Sequence, residues 1–205
     1  MNEENEKLET INIMNLGNHA VGKTCYILRF TENKFEKNYL STNGIDRKVK
    51  IVTINGKKYK LSFYDTVGQE KYRSITLNVI KAAQGILLMY DVTDINSFNS
   101  IPNWIQSIKD KKGSAFPMIL VGNKIDKESE RKITKEQGEK FAKENGIDFF
   151  EISNQDGTNV QEAGLALFNK ILEKKEKDKL ESRNSNTIEI RSQKGNKKED
   201  SKRCC

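Results

Sequence analysis

The sequence predicts an α/β fold in which helices flank a doubly wound, mostly parallel six-stranded sheet. Three observations predict it. Short apolar runs alternate along the chain with longer segments of helical period. The later apolar runs are nearly unbroken, which suits strands buried on both faces. Asn55-Gly56 joins two segments of period-two alternation, a strong hairpin signal, and supplies one antiparallel strand at the sheet edge.

In chain order, residues 11–16 read as the first strand, ending at Gly17, and 23–30 as the first helix. The hairpin strands cover 49–54 and 59–65, and the buried strands 86–90, 118–121 and 149–152. Helical stretches fall at 98–110, 134–145 and 160–174. Thr134 with Gln137, and Thr158 with Gln161, fit capping boxes, and Gly146 stands where a helix C-terminal glycine belongs. Such a sheet binds ligand at the carboxyl ends of its strands. Gly164 interrupts the last helix at a cost of ~1 kcal/mol relative to Ala, with no sequence-level reason.

The chain has 205 residues, 32% of them charged, and a net charge of +7. Residues 173–205 carry 11 Lys or Arg against 7 Asp or Glu, with few large apolar side chains. A disordered tail over 175–205 is therefore expected beyond a domain at 11–174, with a disordered extension at 1–10. Because the basic excess lies in the tail and not on a folded element, nucleic-acid binding is not expected. Three cysteines, with Cys25 far from the pair at the end, make no disulfide framework. Residues 1–10 are polar and acidic, unlike a secretory leader. No run reaches the ~18 apolar residues that a membrane span requires. The expected location is the cytoplasm.

Three motifs carry chemistry. Gly17-Asn18-His19-Ala20-Val21-Gly22-Lys23-Thr24 satisfies G-x-x-x-x-G-K-S/T between an expected strand and helix, the context that gives the pattern weight. Glycines let the backbone curl around phosphate, and the following helix adds free N–H donors and a positive dipole end. Lys23 reaches the outer phosphates and the Thr24 hydroxyl binds Mg²⁺. Asp65-Thr66-Val67-Gly68-Gln69-Glu70 follows at a strand end. Its carboxylate would hold Mg²⁺ through water, the Gly68 N–H would sense the terminal phosphate, and Gln69 would orient attacking water. Asn123-Lys124-Ile125-Asp126 lies just past a buried strand. The Asp126 carboxylate can accept both the ring N–H and the exocyclic amine of guanine, a pattern adenine does not offer.

The three motifs in this order resemble the P-loop G domain of the Ras superfamily of GTPases. Met89-Tyr90-Asp91-Val92-Thr93-Asp94, Ser97-Phe98, Trp104, Gly44-Ile45-Asp46 after Ser41-Thr42, and the terminal Cys204-Cys205 are similar to the Rab branch. The resemblance implies a membrane-anchored switch that binds GTP and GDP with Mg²⁺ and hydrolyses GTP in vesicle-mediated, intracellular protein transport. It implies that residues 17–25, Cys25 included, line the phosphates and that Phe35 packs against the base. Thr42 joins Thr24 and Asp65 at the metal, and Lys23 and Gln69 serve catalysis. Asn123, Lys124 and Asp126 read the base together with Ser153-Asn154-Gln155, which takes the place of the family's Ser-Ala-Lys turn. Effectors, an exchange factor, an activating protein and a prenyl-binding escort are implied as partners.

Several positions depart from that pattern. His19 and Ala20 replace small residues, usually Ser or Gly and then Gly, and a side chain turned out to the rim is the favoured reading. Val67 replaces Ala. The places of the family's three effector-reading aromatics hold Arg47, Tyr64 and Tyr72, so two aromatics remain and a cation replaces the third, and Asn154 and Gln155 threaten guanine contacts. Cys204-Cys205 is not a C-a-a-X box; the resemblance implies that both cysteines are geranylgeranylated. Two lipid chains hold where one binds marginally, and Lys194, Lys197, Lys198, Lys202 and Arg203 add attraction to anionic headgroups on the cytosolic face of intracellular membranes. The principal alternative is a hydrolysis-impaired, GTP-bound effector-binding module; a P-loop ATPase or kinase is disfavoured by the motif ending at Asp126.

Overall fold

The computed structural model describes residues 8–36, 45–66 and 80–196. Six strands form one sheet in the order β2-β3-β1-β4-β5-β6. They are β1 (Glu9–Leu16), β2 (Ile45–Ile54), β3 (Lys57–Thr66), β4 (Gly85–Asp91), β5 (Met118–Asn123) and β6 (Asp148–Ile152). Only β2 is antiparallel, paired with β3 from Ile45↔Thr66 to Ile54↔Lys57. The turn between them places Asn55 and Gly56 at φ 49° and 74°, the two positive angles that a type I′ turn demands.

The described helices are α1 (Lys23–Glu32), α2 (Ile95–Asn99), α3 (Ile101–Lys112), α4 (Lys135–Asn145) and α5 (Val160–Asn196), with a 3₁₀ segment at Ile125–Glu130. Because β4 and β5 are apolar at successive positions, they bury both faces, whereas β6, at the sheet edge, is only half-buried until Ile152, short of the buried strand expected at 149–152. Leu87, Met89 and Val121 face Tyr26, Phe30, Leu167 and Phe168 of α1 and α5. Leu88, Tyr90 and Leu120 face Ile101, Ile105 and Ile108 of α3 on the other side.

Four differences from the sequence reading have physical causes. The expected helix over 98–110 is two helices. Asp94 caps the first through its Oδ1 and the Asn96 N–H, at 3.0 Å. Pro102, in the first turn of the second, has no N–H to continue the earlier ladder. Thr134 and Gln137 form both bonds of a capping box, but Thr158 and Gln161 do not. Thr158 instead bonds Asp156 Oδ1, at 2.6 Å from its hydroxyl, while Gln161 donates to the Phe30 carbonyl and accepts from Lys50.

The remaining two differences concern the ends. β1 starts at Glu9, inside the expected extension at 1–10, because Glu9 is held by Lys57 at 2.9 Å and Lys175 at 2.8 Å. Chiefly the bond from Lys175, then that from Lys57, lowers the Glu9 carboxyl to about 2. Helix α5 continues past 174 to Asn196, where a disordered tail was expected from 175. The docked part of α5 supplies the nucleus, and Lys- and Glu-rich sequence with pairs such as Lys174–Asp178 can extend it without burial. Glycine arrives only at Gly195. Residues 1–7 and 197–205 lie outside the described residues. Among those described, no helix is long and apolar enough to cross a membrane.

Candidate functional site

Strand β1 pairs with β3 on one side and β4 on the other, so chain connections leave it in opposite directions and open a crevice at its carboxyl end. The loop 17–22 fills that crevice and leads into α1. Three of its residues need positive φ: Gly17 at 143°, Ala20 at 60° and Gly22 at 99°. A Cβ on Gly17 would stand 2.1 Å from the Met89 carbonyl oxygen, so only glycine fits. Ala20 tolerates its left-handed angle at about 1 kcal/mol, which explains the usual glycine there. His19 and Ala20 are both exposed at the rim.

Lys23 opens α1 with its ammonium inside the loop. It donates to the carbonyls of Gly17 at 3.0 Å and Asn18 at 2.7 Å. Burial lowers its pKa to about 8, against a smaller upward pull from Asp65. Beside it the Thr24 hydroxyl donates to Asp65 Oδ2 at 2.6 Å, joining the first two motifs across 41 positions. Cys25 follows half-buried, its thiol pushed up mainly by burial.

The third motif meets the loop directly. Asn123, 1% exposed at the end of β5, donates from Nδ2 to the Val21 carbonyl at 2.8 Å. Lys124 takes a left-handed φ of 71° and pairs with Asp91 Oδ2 at 2.6 Å. Asp126 is exposed and accepts from the Ser153 hydroxyl at 2.7 Å, which aims its carboxylate. Asn154 is buried and Gln155 exposed in the same turn. Phe35 is half-buried, with the Arg29 guanidinium 6.0 Å from its ring centroid.

The expected residues at 17–25, together with Phe35, Asp65, Asn123, Lys124, Asp126 and 153–155, thus gather along one end of the sheet. Thr42, Val67, Gly68, Gln69 and Tyr72 lie outside the described residues, as do Cys204 and Cys205. On the hairpin, Arg47 bonds Ser62 Oγ at 2.6 Å and lies 5.9 Å from the Tyr64 centroid, filling an aromatic's place with a cation.

Sequence reasoning missed the supports. Arg29 donates to the carbonyls of Asn154 at 2.9 Å and Gln155 at 2.6 Å, bracing the last turn from α1. Ser100 and Trp104 donate to Asn18 Oδ1 at 2.8 and 3.2 Å. Asp91 binds the Thr93 N–H and hydroxyl besides Lys124. The Asp-x-Thr spacing of Asp91 and Thr93 was a legible turn signal; Arg29 and Ser100 join partners more than 80 positions away and left none.

Comparison with known proteins places the chain in a family. The family model described as the Ras family matches residues 12–173. The chain is 43% identical over 157 residues to Ras-related protein Rab-13 of Canis lupus familiaris, covering 77% of each chain. It is 39% identical over 198 residues to Ras-related protein RAB1BV of Beta vulgaris, covering 95% of this chain and 92% of that one. To GTP-binding protein YPT1 of Saccharomyces cerevisiae it is 37% identical over 197 residues, covering 96% and 92%.

Proposed function

Because the chain belongs to the Ras family, in its Rab group of small GTPases that hydrolyse GTP in vesicle trafficking, we propose that the crevice at β1 is its guanine-nucleotide site. One observation carries the assignment of residues. Asn123 binds Val21, so the loop suited to phosphates and the turn suited to guanine share one rigid frame. Residues 17–25 cradle the phosphates with main-chain N–H groups, and Lys23 exchanges its carbonyl partners for phosphate oxygens. Asp126, held by Ser153, accepts the two guanine donors, while Phe35 covers the base.

The Thr24 hydroxyl and Asp65 carboxylate fit Mg²⁺: both are hard oxygen donors, already adjacent beside the phosphate loop. Once bound, Mg²⁺ would neutralise charge on the phosphate oxygens. By the family resemblance, Thr42 completes the metal site, Gly68 senses the third phosphate, and Gln69 orients water for direct attack on it. The loops around Thr42 and Gly68 then differ between GTP and GDP states, which effectors read. An exchange factor, an activating protein and a prenyl-binding escort complete the cycle. Lipid on Cys204 and Cys205 anchors the protein on the cytosolic face of membranes.

The test is to identify and count the nucleotide that co-purifies with the protein, then follow conversion of bound GTP in a single turnover. Stoichiometric guanine nucleotide and formation of GDP are expected; purified, folded protein that binds guanine and adenine nucleotides equally would reject the site. The exposure of His19 favours turnover over a locked GTP state. A His19→Ser variant is accordingly expected to hydrolyse GTP at the unsubstituted rate.

A further inference from the structure

Asn154 occupies the place of the alanine in the family's Ser-Ala-Lys turn, and its side chain does not point away from the site. It is 3% exposed, and its Nδ2 donates to the Gly22 carbonyl at 2.9 Å, a contact alanine could not make. Its main chain is fixed independently: the N–H donates to Asn123 Oδ1 at 3.3 Å, and the carbonyl accepts from Arg29 Nε at 2.9 Å. Gly22 lies against this amide. A Cβ there would meet Asn123 Nδ2 at 2.3 Å and Asn154 Nδ2 at 2.9 Å. The Gly22 carbonyl also accepts the Tyr26 N–H, at 2.9 Å, in the first turn of α1. The side chain of Asn154 therefore touches the junction of the phosphate loop and α1, while its backbone belongs to the base-binding turn.

Its energetics argue against a role in holding the fold. Oδ1 is buried with no hydrogen-bond partner among the described residues, a cost that alanine would avoid. Alanine would also keep both main-chain bonds. What the amide adds is one link between two loops that are over 130 positions apart and grip opposite ends of a nucleotide.

We propose that Asn154 is a positioning residue that couples the phosphate end of the site to its base end, an inference that rests on the nucleotide-site reading above. Ordering either loop orders the other through the Gly22–Asn154 bond, so a ligand at one end raises affinity at the other.

The experiment uses the full chain and measures guanosine affinity with and without saturating inorganic pyrophosphate, together with the rate of GDP release. In the unsubstituted protein pyrophosphate raises guanosine affinity. Asn154→Ala, which installs the family's residue, lowers that ratio and speeds GDP release by roughly three- to tenfold, the worth of one neutral hydrogen bond. Asn154→Asp keeps the size but loses the donor, and is expected to do at least as much. A ratio and release rate within twofold of the unsubstituted protein in both variants would overturn the coupling. So would equal weakening of guanosine, pyrophosphate and GDP, each measured alone, which is the mark of a merely structural residue. Failure of the unsubstituted protein to bind GDP would instead reject the nucleotide site, and the coupling with it.

Discussion

Lys23 keeps its ammonium against the Gly17 and Asn18 carbonyls, where burial holds its pKa near 8. A bound phosphate would stabilise the charged form and raise that value again, so binding takes up a proton above about 8. Affinity for GDP is expected to be flat from pH 6.5 to 7.5. It should fall above 8, at most tenfold per pH unit, when titrated with a fluorescent GDP analogue. A Lys23→Met variant should bind weakly and lack the slope. The empty domain has the opposite dependence. Its folded lysine loses the proton before the unfolded one, so stability rises from about pH 8 toward the ordinary lysine value. Asp126 makes a different kind of contribution, because its carboxylate is exposed and aimed by Ser153. Asp126→Ala should reduce GDP affinity by ~10² or more and erase most of the preference over ADP, since guanine's two donors would lose their acceptor. Competition binding with both nucleotides checks this.

At the scale of elements, Gly164 is explained by the approach of α5 to α1. A Cβ at that position would lie 2.3 Å from Phe30 Cε2 and 2.8 Å from the Tyr26 hydroxyl. Tyr26 and Phe30 are both buried, and the Tyr26 hydroxyl is committed to the Val160 carbonyl at 3.1 Å. Neither ring has room to yield. Gly164→Ala would gain ~1 kcal/mol in helix propensity and lose about 1–3 kcal/mol to overpacking. The net loss of up to about 2 kcal/mol is expected to lower the melting temperature by up to about 8 °C in thermal denaturation. The same contact matters for the site, because α1 carries Lys23 and Thr24 while α5 follows the base-binding turn.

Over the whole molecule, charge and burial divide at the end of the docked part of α5. Ile171 is buried and Lys175 still reaches Glu9, but residues 176–183 are exposed. Ending the chain after Lys179 should therefore leave melting temperature within about 2 °C, a shift typical of surface changes, and GDP affinity unchanged. On the proposed anchoring, the same truncation removes Cys204 and Cys205 and releases the protein from membranes, which fractionation of expressing cells would show.

The architecture was legible because its signals are local and periodic. Unbroken apolar strands, Asn55-Gly56 and the strand–loop–helix around Lys23 each announce a backbone conformation within a few residues, since sterics and burial act at that range. The two helices at 95–112 were less legible, because a cap at Asp94 and a proline in the second helix's first turn interrupt a continuous apolar pattern. Helix α5 outran its expected end because extending a packed helix needs no further nucleation. What the sequence alone determined was the order of motifs, and with it the sheet and the chemistry at its carboxyl ends. Only the tertiary structure decided how the motifs hold one another: Asn123 to Val21, Arg29 to the Asn154 and Gln155 carbonyls, Ser100 to Asn18, Asn154 to Gly22. Those bonds join residues between 82 and 132 positions apart, and at such separations a side chain's partner is set by packing of the whole core.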